Sequence, residues 1–178
     1  MMNLFLHTCC GPCACYTTQH LQEEGLEPTL FFYNPNIHPY QEHQQRFEGL
    51  MKLAEMKSLQ LIREPGYELE DFLTNVAPNP QSRCSHCYQV RLAKTAAKAK
   101  ELGFNLFSTT LLISPYQNRE LICEIGHELA KKYNLTFHDE DFRPGFRQSQ
   151  AMAKEYELYR QGYCGCIYSE KDRYFKSG

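Results

Sequence analysis

Short apolar runs alternate with stretches of helical periodicity along the chain, and this alternation sets the expected fold. Residues 3–7, 29–33 and 60–63 read as buried strands. A helix is expected to start after Pro12, because proline suits a first helical turn, and to end near Gly25. Over residues 40–57, Phe47, Leu50, Met51 and Ala54 stand at i, i+3, i+4 and i+7, the apolar face of a helix. A short helix is expected at 68–76, a loop at Ala77-Pro78-Asn79-Pro80, and then a long helix ending near Leu102. Residues 104–112 are the strongest strand candidate. Asn118 can cap the next helix, whose buried stripe is Leu121, Ile122, Ile125 and Leu129. Residues 135–138 read as a strand and 148–161 as a last helix. Strand–helix alternation predicts one α/β domain over 1–178, with a parallel sheet between two helical layers. Ligands of such sheets sit beyond the carboxyl ends of the strands. His7-Thr8-Cys9-Cys10 and Ser108-Thr109-Thr110 both fall at or near such ends.

Length and charge narrow the function classes. The chain has 178 residues, enough for one sizeable core. It has no run of about 18 apolar residues that could span a membrane. Its first residues lack the basic and apolar regions of a signal peptide, so a cytoplasmic location is expected. The formal net charge of −2 argues against indiscriminate nucleic-acid binding. Residues 143–178, however, carry 7 Lys+Arg against 4 Asp+Glu, a local excess that could meet phosphate or simply be solvated.

The cysteines change the picture most. There are nine, an odd number, and they are clustered: Cys9, Cys10, Cys13 and Cys15, then Cys84 and Cys87, then Cys164 and Cys166. Short-spaced clusters in a reducing compartment favour metal or redox chemistry over structural bridges. Cys10-Gly-Pro-Cys13 has the spacing of a thioredoxin active site, but it follows the first strand directly and has Cys9 beside it. Cys84-Ser-His-Cys87 could be half of a four-thiolate site, with Cys9-Cys10 as the other half. Thiolates suit zinc and iron–sulfur centres alike, so ligand chemistry leaves that choice open. Cys164-Gly-Cys166 is too tight to share one tetrahedral ion easily and could instead form a labile disulfide. Cys15 and Cys123 fall in helical patterns and read as packing residues. His7 is a candidate to support the first motif, whereas His38, His43, His127 and His138 are scattered and are expected on the surface.

Six blocks carry a resemblance to a known family. They are Leu6-His-Thr-Cys-Cys-Gly-Pro-Cys13, Phe32-Tyr-Asn-Pro-Asn-Ile-His-Pro-Tyr40, Arg83-Cys-Ser-His-Cys-Tyr88, Ser108-Thr-Thr-Leu-Leu-Ile-Ser-Pro-Tyr-Gln117, Glu140-Asp-Phe-Arg-Pro-Gly-Phe-Arg147 and Tyr159-Arg-Gln-Gly-Tyr-Cys-Gly-Cys166. In this order they resemble the QueH-type epoxyqueuosine reductases of tRNA queuosine synthesis. The resemblance implies a three-layer fold related to the PP-loop nucleotide-binding group, with the first cysteine motif in place of the phosphate loop. It implies a cobalamin-independent oxidoreductase that removes the epoxide oxygen of epoxyqueuosine at the wobble position of tRNAs for Asp, Asn, His and Tyr. It also implies a [4Fe–4S] cluster on Cys9, Cys10, Cys84 and Cys87, a redox-active pair in Cys164 and Cys166, and an adjacent mononuclear iron for which Cys13 is a candidate contact. The electron donor is not identified. For the anticodon loop, Tyr88, Tyr116 and Tyr163 are candidates to stack on bases and Arg143, Arg147 and Arg160 to meet phosphate.

Overall fold

The computed structural model describes residues 2–176. Its strands are β1 (Met2–His7), β2 (Leu26–Phe32), β3 (Leu61–Arg63), β4 (Leu106–Thr109) and β5 (Thr136–Phe137). They form one sheet in the order β3-β2-β1-β4-β5, and every pairing is parallel. The helices are α1 (Gly11–Glu23), α2 (Tyr40–Lys57), α3 (Leu69–Val76), α4 (Arg83–Glu101), α5 (Arg119–Tyr133), α6 (Phe146–Glu155) and α7 (Ile167–Tyr174). Helices α1, α2 and α6 pack together on one face, and α4 and α5 on the other. This is the expected three-layer α/β/α arrangement.

The local rules explain most of the elements. Pro12 occupies the first turn of α1. The Asn118 side chain caps α5 by accepting from Leu121 N. Strand β1 lies at the centre and is apolar on both sides: Leu4, Phe5 and Leu6 are fully buried, as a strand covered on both faces must be. The strand order reverses direction on either side of β1, the position at which doubly wound sheets open a crevice. His7, the last residue of β1, pairs with Phe31 of β2 and Thr109 of β4.

Several expected boundaries are corrected. The strand expected over 104–112 is Leu106–Thr109, followed by a 3₁₀ turn at Thr110–Ile113. Thr109 turns its own side chain back to accept from Leu111 N, which ends the strand. The helix expected over 148–161 is Phe146–Glu155 and stops before Glu157, which has φ +52°. Met51 is exposed, and the inward stripe of α2 runs instead through Glu42, Arg46, Leu50 and Leu53. His38 and His43 are buried, not on the surface. His38 lies against Phe72 and reaches the carbonyl of Pro35, and His43 lies among Phe32, Tyr40 and Tyr67. No helix among the described residues is long and apolar enough to cross a membrane.

Candidate active site

The first cysteine motif folds into the crevice. Cys10 is the extended residue that begins α1, so Cys9, Cys10 and Cys13 gather where β1 turns into the helix. All three are buried, and their sulfurs lie within 4.8 Å of one another. The Cys9 and Cys10 sulfurs are 3.6 Å apart. From the other side of the crevice, Thr110 holds Cys9: its hydroxyl accepts from the Cys9 backbone at 3.3 Å and stands 3.5 Å from its sulfur.

Crowding three thiols pulls their acidities apart. Hydrogen bonds from the Cys10 and Cys13 thiols, helped by the nearby Arg91 cation, hold the Cys9 thiol well below its ordinary pKa. Burial holds Cys10 as a thiol, and hydrogen bonding to Cys10 and Cys9 does the same for Cys13. This corner of the fold therefore favours negative charge on Cys9.

Cys84 and Cys87 lie in the first turn of α4, outside the compact triad. Cys84 is exposed and Cys87 half-buried. Burial pushes the Cys87 thiol up to about 12, against the opposing pull of Arg91. Arg91, one helical turn on, donates to the Cys87 sulfur at 3.3 Å. The same guanidinium donates to Asn34 Oδ1 at 2.9 Å and stands 3.4 Å from His7 Nε2. Arg91 is 2% exposed, and no carboxylate pairs with it among the described residues. His7 adds no second cation beside it, since burial and Arg91 lower its pKa to about 3. Its ring is fixed by Thr109 Oγ1 at 2.9 Å and the Tyr33 carbonyl at 3.1 Å.

The third motif forms one wall of the site. Arg46, buried in α2 and paired with Glu42 at 2.7 Å, donates to the carbonyls of Tyr163 and Cys164 at 2.9 and 2.8 Å. This clamp ties the start of the Cys164–Cys166 turn to α2. Gly165 within it has φ +154°, and an added Cβ would lie 3.2 Å from Asn36 Nδ2 and 3.3 Å from Ile37 Cγ1. Both conditions favour glycine between the two cysteines. Gln117 donates to the Cys164 sulfur at 3.2 Å, and Gln161 donates to that of Cys10 at 3.1 Å. Cys166 begins α7. None of the nine cysteines is in a disulfide.

A cleft of about 570 Å³ is lined by Cys9 and Cys13 together with Tyr116, Tyr163 and Cys164, whereas Cys10, Cys84, Cys87 and Cys166 do not line it. Small-molecule sites commonly have volumes of about 300–1,000 Å³. Of the other expected contacts, Tyr88 does not line the cleft: it is buried, and its hydroxyl donates to Gln117 at 2.7 Å. Arg143, Arg147 and Arg160 are exposed outside the cleft lining, and Arg143 already forks onto Asp141 at 2.7 and 2.8 Å. Sequence reasoning missed Arg46, Arg91, Gln117, Gln161 and Arg173, which all line the cleft, as does Thr110 from the expected strand end. The one available signal was spacing: Arg91 stands four residues after Cys87, on the same face of a helix.

The donor set suits a thiolate-bound centre. Cys9, Cys10 and Cys13 gather at the end of β1, Arg91 ties the Cys87 sulfur to His7 and Asn34 beside them, and this buried cation lacks a carboxylate that an anionic centre would replace.

The family described as Epoxyqueuosine reductase QueH matches residues 4–172. A relative with that description from Dehalococcoides mccartyi is 41% identical over 98% of this chain and 96% of its own length. Another from Thermotoga maritima is 35% identical over 97% of this chain and 93% of its own. Among solved structures, a predicted tRNA methyltransferase subunit from Methanocaldococcus jannaschii aligns with a TM-score of 0.59 over 87% of this chain and 76% of that one. At 13% identity, that likeness concerns the fold alone.

Proposed function

The chain belongs to the epoxyqueuosine reductase QueH family and is an oxidoreductase of tRNA queuosine synthesis; we propose that the cleft between Cys9 and Cys164 is where the epoxide is reduced. The observation that carries this reading is the cleft itself, whose lining includes cysteines of both the first motif and the third. In this reading a single reductase domain holds a [4Fe–4S] cluster on Cys9, Cys10, Cys84 and Cys87, works without cobalamin, and keeps Cys13 for an adjacent iron. When bound, the cluster supplies single electrons and the iron supplies Lewis acidity.

Removing an epoxide oxygen as water takes two electrons and two protons. Oxidation of the Cys164 and Cys166 thiols to a disulfide releases both, so one dithiol balances one turnover. Arg46 holds the backbone of that turn in place, and the Gln117 amide orients the Cys164 sulfur. Tyr116 is 84% exposed at the cleft, edge-to-face with Phe146, and offers an exposed ring on which a splayed base can stack. The substrates are the anticodon loops of tRNAs for Asp, Asn, His and Tyr, and an external donor restores the dithiol.

The test is anaerobic purification with iron, sulfide and zinc analysis, alongside turnover on tRNA carrying epoxyqueuosine. A brown, iron-loaded protein is expected. Cys9→Ser and Cys87→Ser should each lose the visible absorption. The double variant Cys164→Ser/Cys166→Ser should keep it and lose turnover by at least about 10²-fold, the scale expected when a group acting in the chemical step is removed. Undiminished turnover by the double variant would end the dithiol role. One observation favours a second reading: thiolates around a single tetrahedral zinc lie about 3.8 Å apart, close to the 3.6 Å between Cys9 and Cys10. A colourless protein with one zinc per chain and no iron would establish that reading instead.

A further inference from the structure

Arg91 is the least explained charge in the molecule. It is 2% exposed, so its charge is removed from water. Its hydrogen-bond partners are the Cys87 sulfur and Asn34 Oδ1, with His7 Nε2 3.4 Å away, and none is a carboxylate. The other deeply buried arginine, Arg46, is paired with Glu42 at 2.7 Å. An isolated guanidinium in a fold interior costs several kcal/mol unless an anion lies beside it. Guanidinium does not lose its proton in proteins, so the anion must come from the surroundings. The groups within its reach that can become anionic are the cysteine sulfurs, with Cys87 in direct contact and Cys9 close enough to feel the charge.

We propose that Arg91 is the fixed counter-charge of the thiolate centre and that it raises the reduction potential of that centre. This rests on the cluster reading above. Adding one electron makes a four-thiolate cluster one unit more negative, and a permanent cation held in a dry site stabilises the reduced form more than the oxidised one. The N–H donated to the Cys87 sulfur acts in the same direction, since it favours the more electron-rich sulfur. Arg91 is thus a positioning and tuning residue that does not touch the substrate. Its anchors serve that role. Asn34 receives the outer nitrogen of Arg91 through Oδ1 and donates Nδ2 to the Thr8 carbonyl at 2.9 Å, fixing the guanidinium to the turn that carries Cys9.

The experiment is an anaerobic, mediator-coupled redox titration of the iron-loaded full chain, read by visible absorption, with iron content measured on every sample. Arg91→Gln removes the charge, and Arg91→Lys keeps it while losing the forked contact. Asn34→Asp leaves Arg91 in place but sets a carboxylate against it. The Gln variant is expected to shift the one-electron equilibrium at least tenfold toward the oxidised form, a fall of about 59 mV or more. The Asp variant should shift it in the same direction, and the Lys variant should shift it less than the Gln variant. A Gln variant that keeps its iron at an unchanged potential overturns the proposal. So does a Lys variant that shifts as far as the Gln variant. If the Gln variant cannot hold iron, Asn34→Asp decides: an unmoved potential there overturns the proposal. A wild-type chain that binds zinc and no iron fails the cluster reading itself and is distinguished from these outcomes before any titration begins.

Discussion

Single side chains place charge and protons here more through burial than through identity. His43 is an example. It is buried, surrounded by aromatic rings, and Nδ1 has no hydrogen-bond partner among the described residues. Burial, with Arg63 and Arg46 nearby, lowers its pKa from 6.5 to about 4. Between those values the unfolded chain binds a proton at this position that the folded chain does not. The associated stability is therefore complete above pH 6.5 and declines as pH falls toward 4, by about 1.4 kcal/mol per unit within that window. Denaturant unfolding at several pH values should show this decline in the wild type and a shallower one in His43→Gln; parallel profiles would count against it. The sequence could not reveal this burial. A lone histidine in a polar-looking stretch reads as surface, and only the packing of α2 on β2 and on the loop carrying Tyr67 encloses the ring.

Elements here are set by local signals where a cap or a strong apolar run exists, and by tertiary contact elsewhere. Pro12 and Asn118 mark the starts of α1 and α5 as expected. Helix α7 was not legible, because none of its residues is buried and no apolar stripe marks it. Strand β5 is only two residues long and owes its place to α5 packing over it. Gly126 of α5 makes that packing possible, since a Cβ there would lie 2.5 Å from the Phe137 ring. Alanine at this helical position would gain about 1 kcal/mol in propensity. The clash with a buried ring costs about 1–3 kcal/mol and should win. Gly126→Ala is expected to lower the urea midpoint, and a stabilised variant would show that the ring can move aside freely.

For the molecule as a whole, function joins a near-neutral chain to a polyanionic tRNA substrate. The excess of positive charge after residue 142 is spread over exposed arginines, and Arg173 brings part of it to the cleft. Binding of tRNA should weaken with salt. Arg173→Gln should lower affinity and reduce the slope of log K against log salt by about 1. Arg143→Gln should change that slope little, because Arg143 already holds Asp141. Equal effects of the two substitutions would show that the cleft mouth is not where phosphate is met.

The alternation of strands and helices, the parallel sheet and the place of the first cysteine motif at its carboxyl edge were all readable in the chain, because each follows from periodicity and from the topology of a doubly wound sheet. The six motif blocks added the family. The choice of partners was not readable. Arg46 and Arg91 look like ordinary helix-surface arginines in sequence, and Gln117 and Gln161 look like loop residues. Burial in the crevice makes the arginines counter-charges, and the approach of two loops aims the glutamines at sulfur. Such roles depend on desolvation and on contacts between residues up to 151 positions apart, and local sequence carries no record of either.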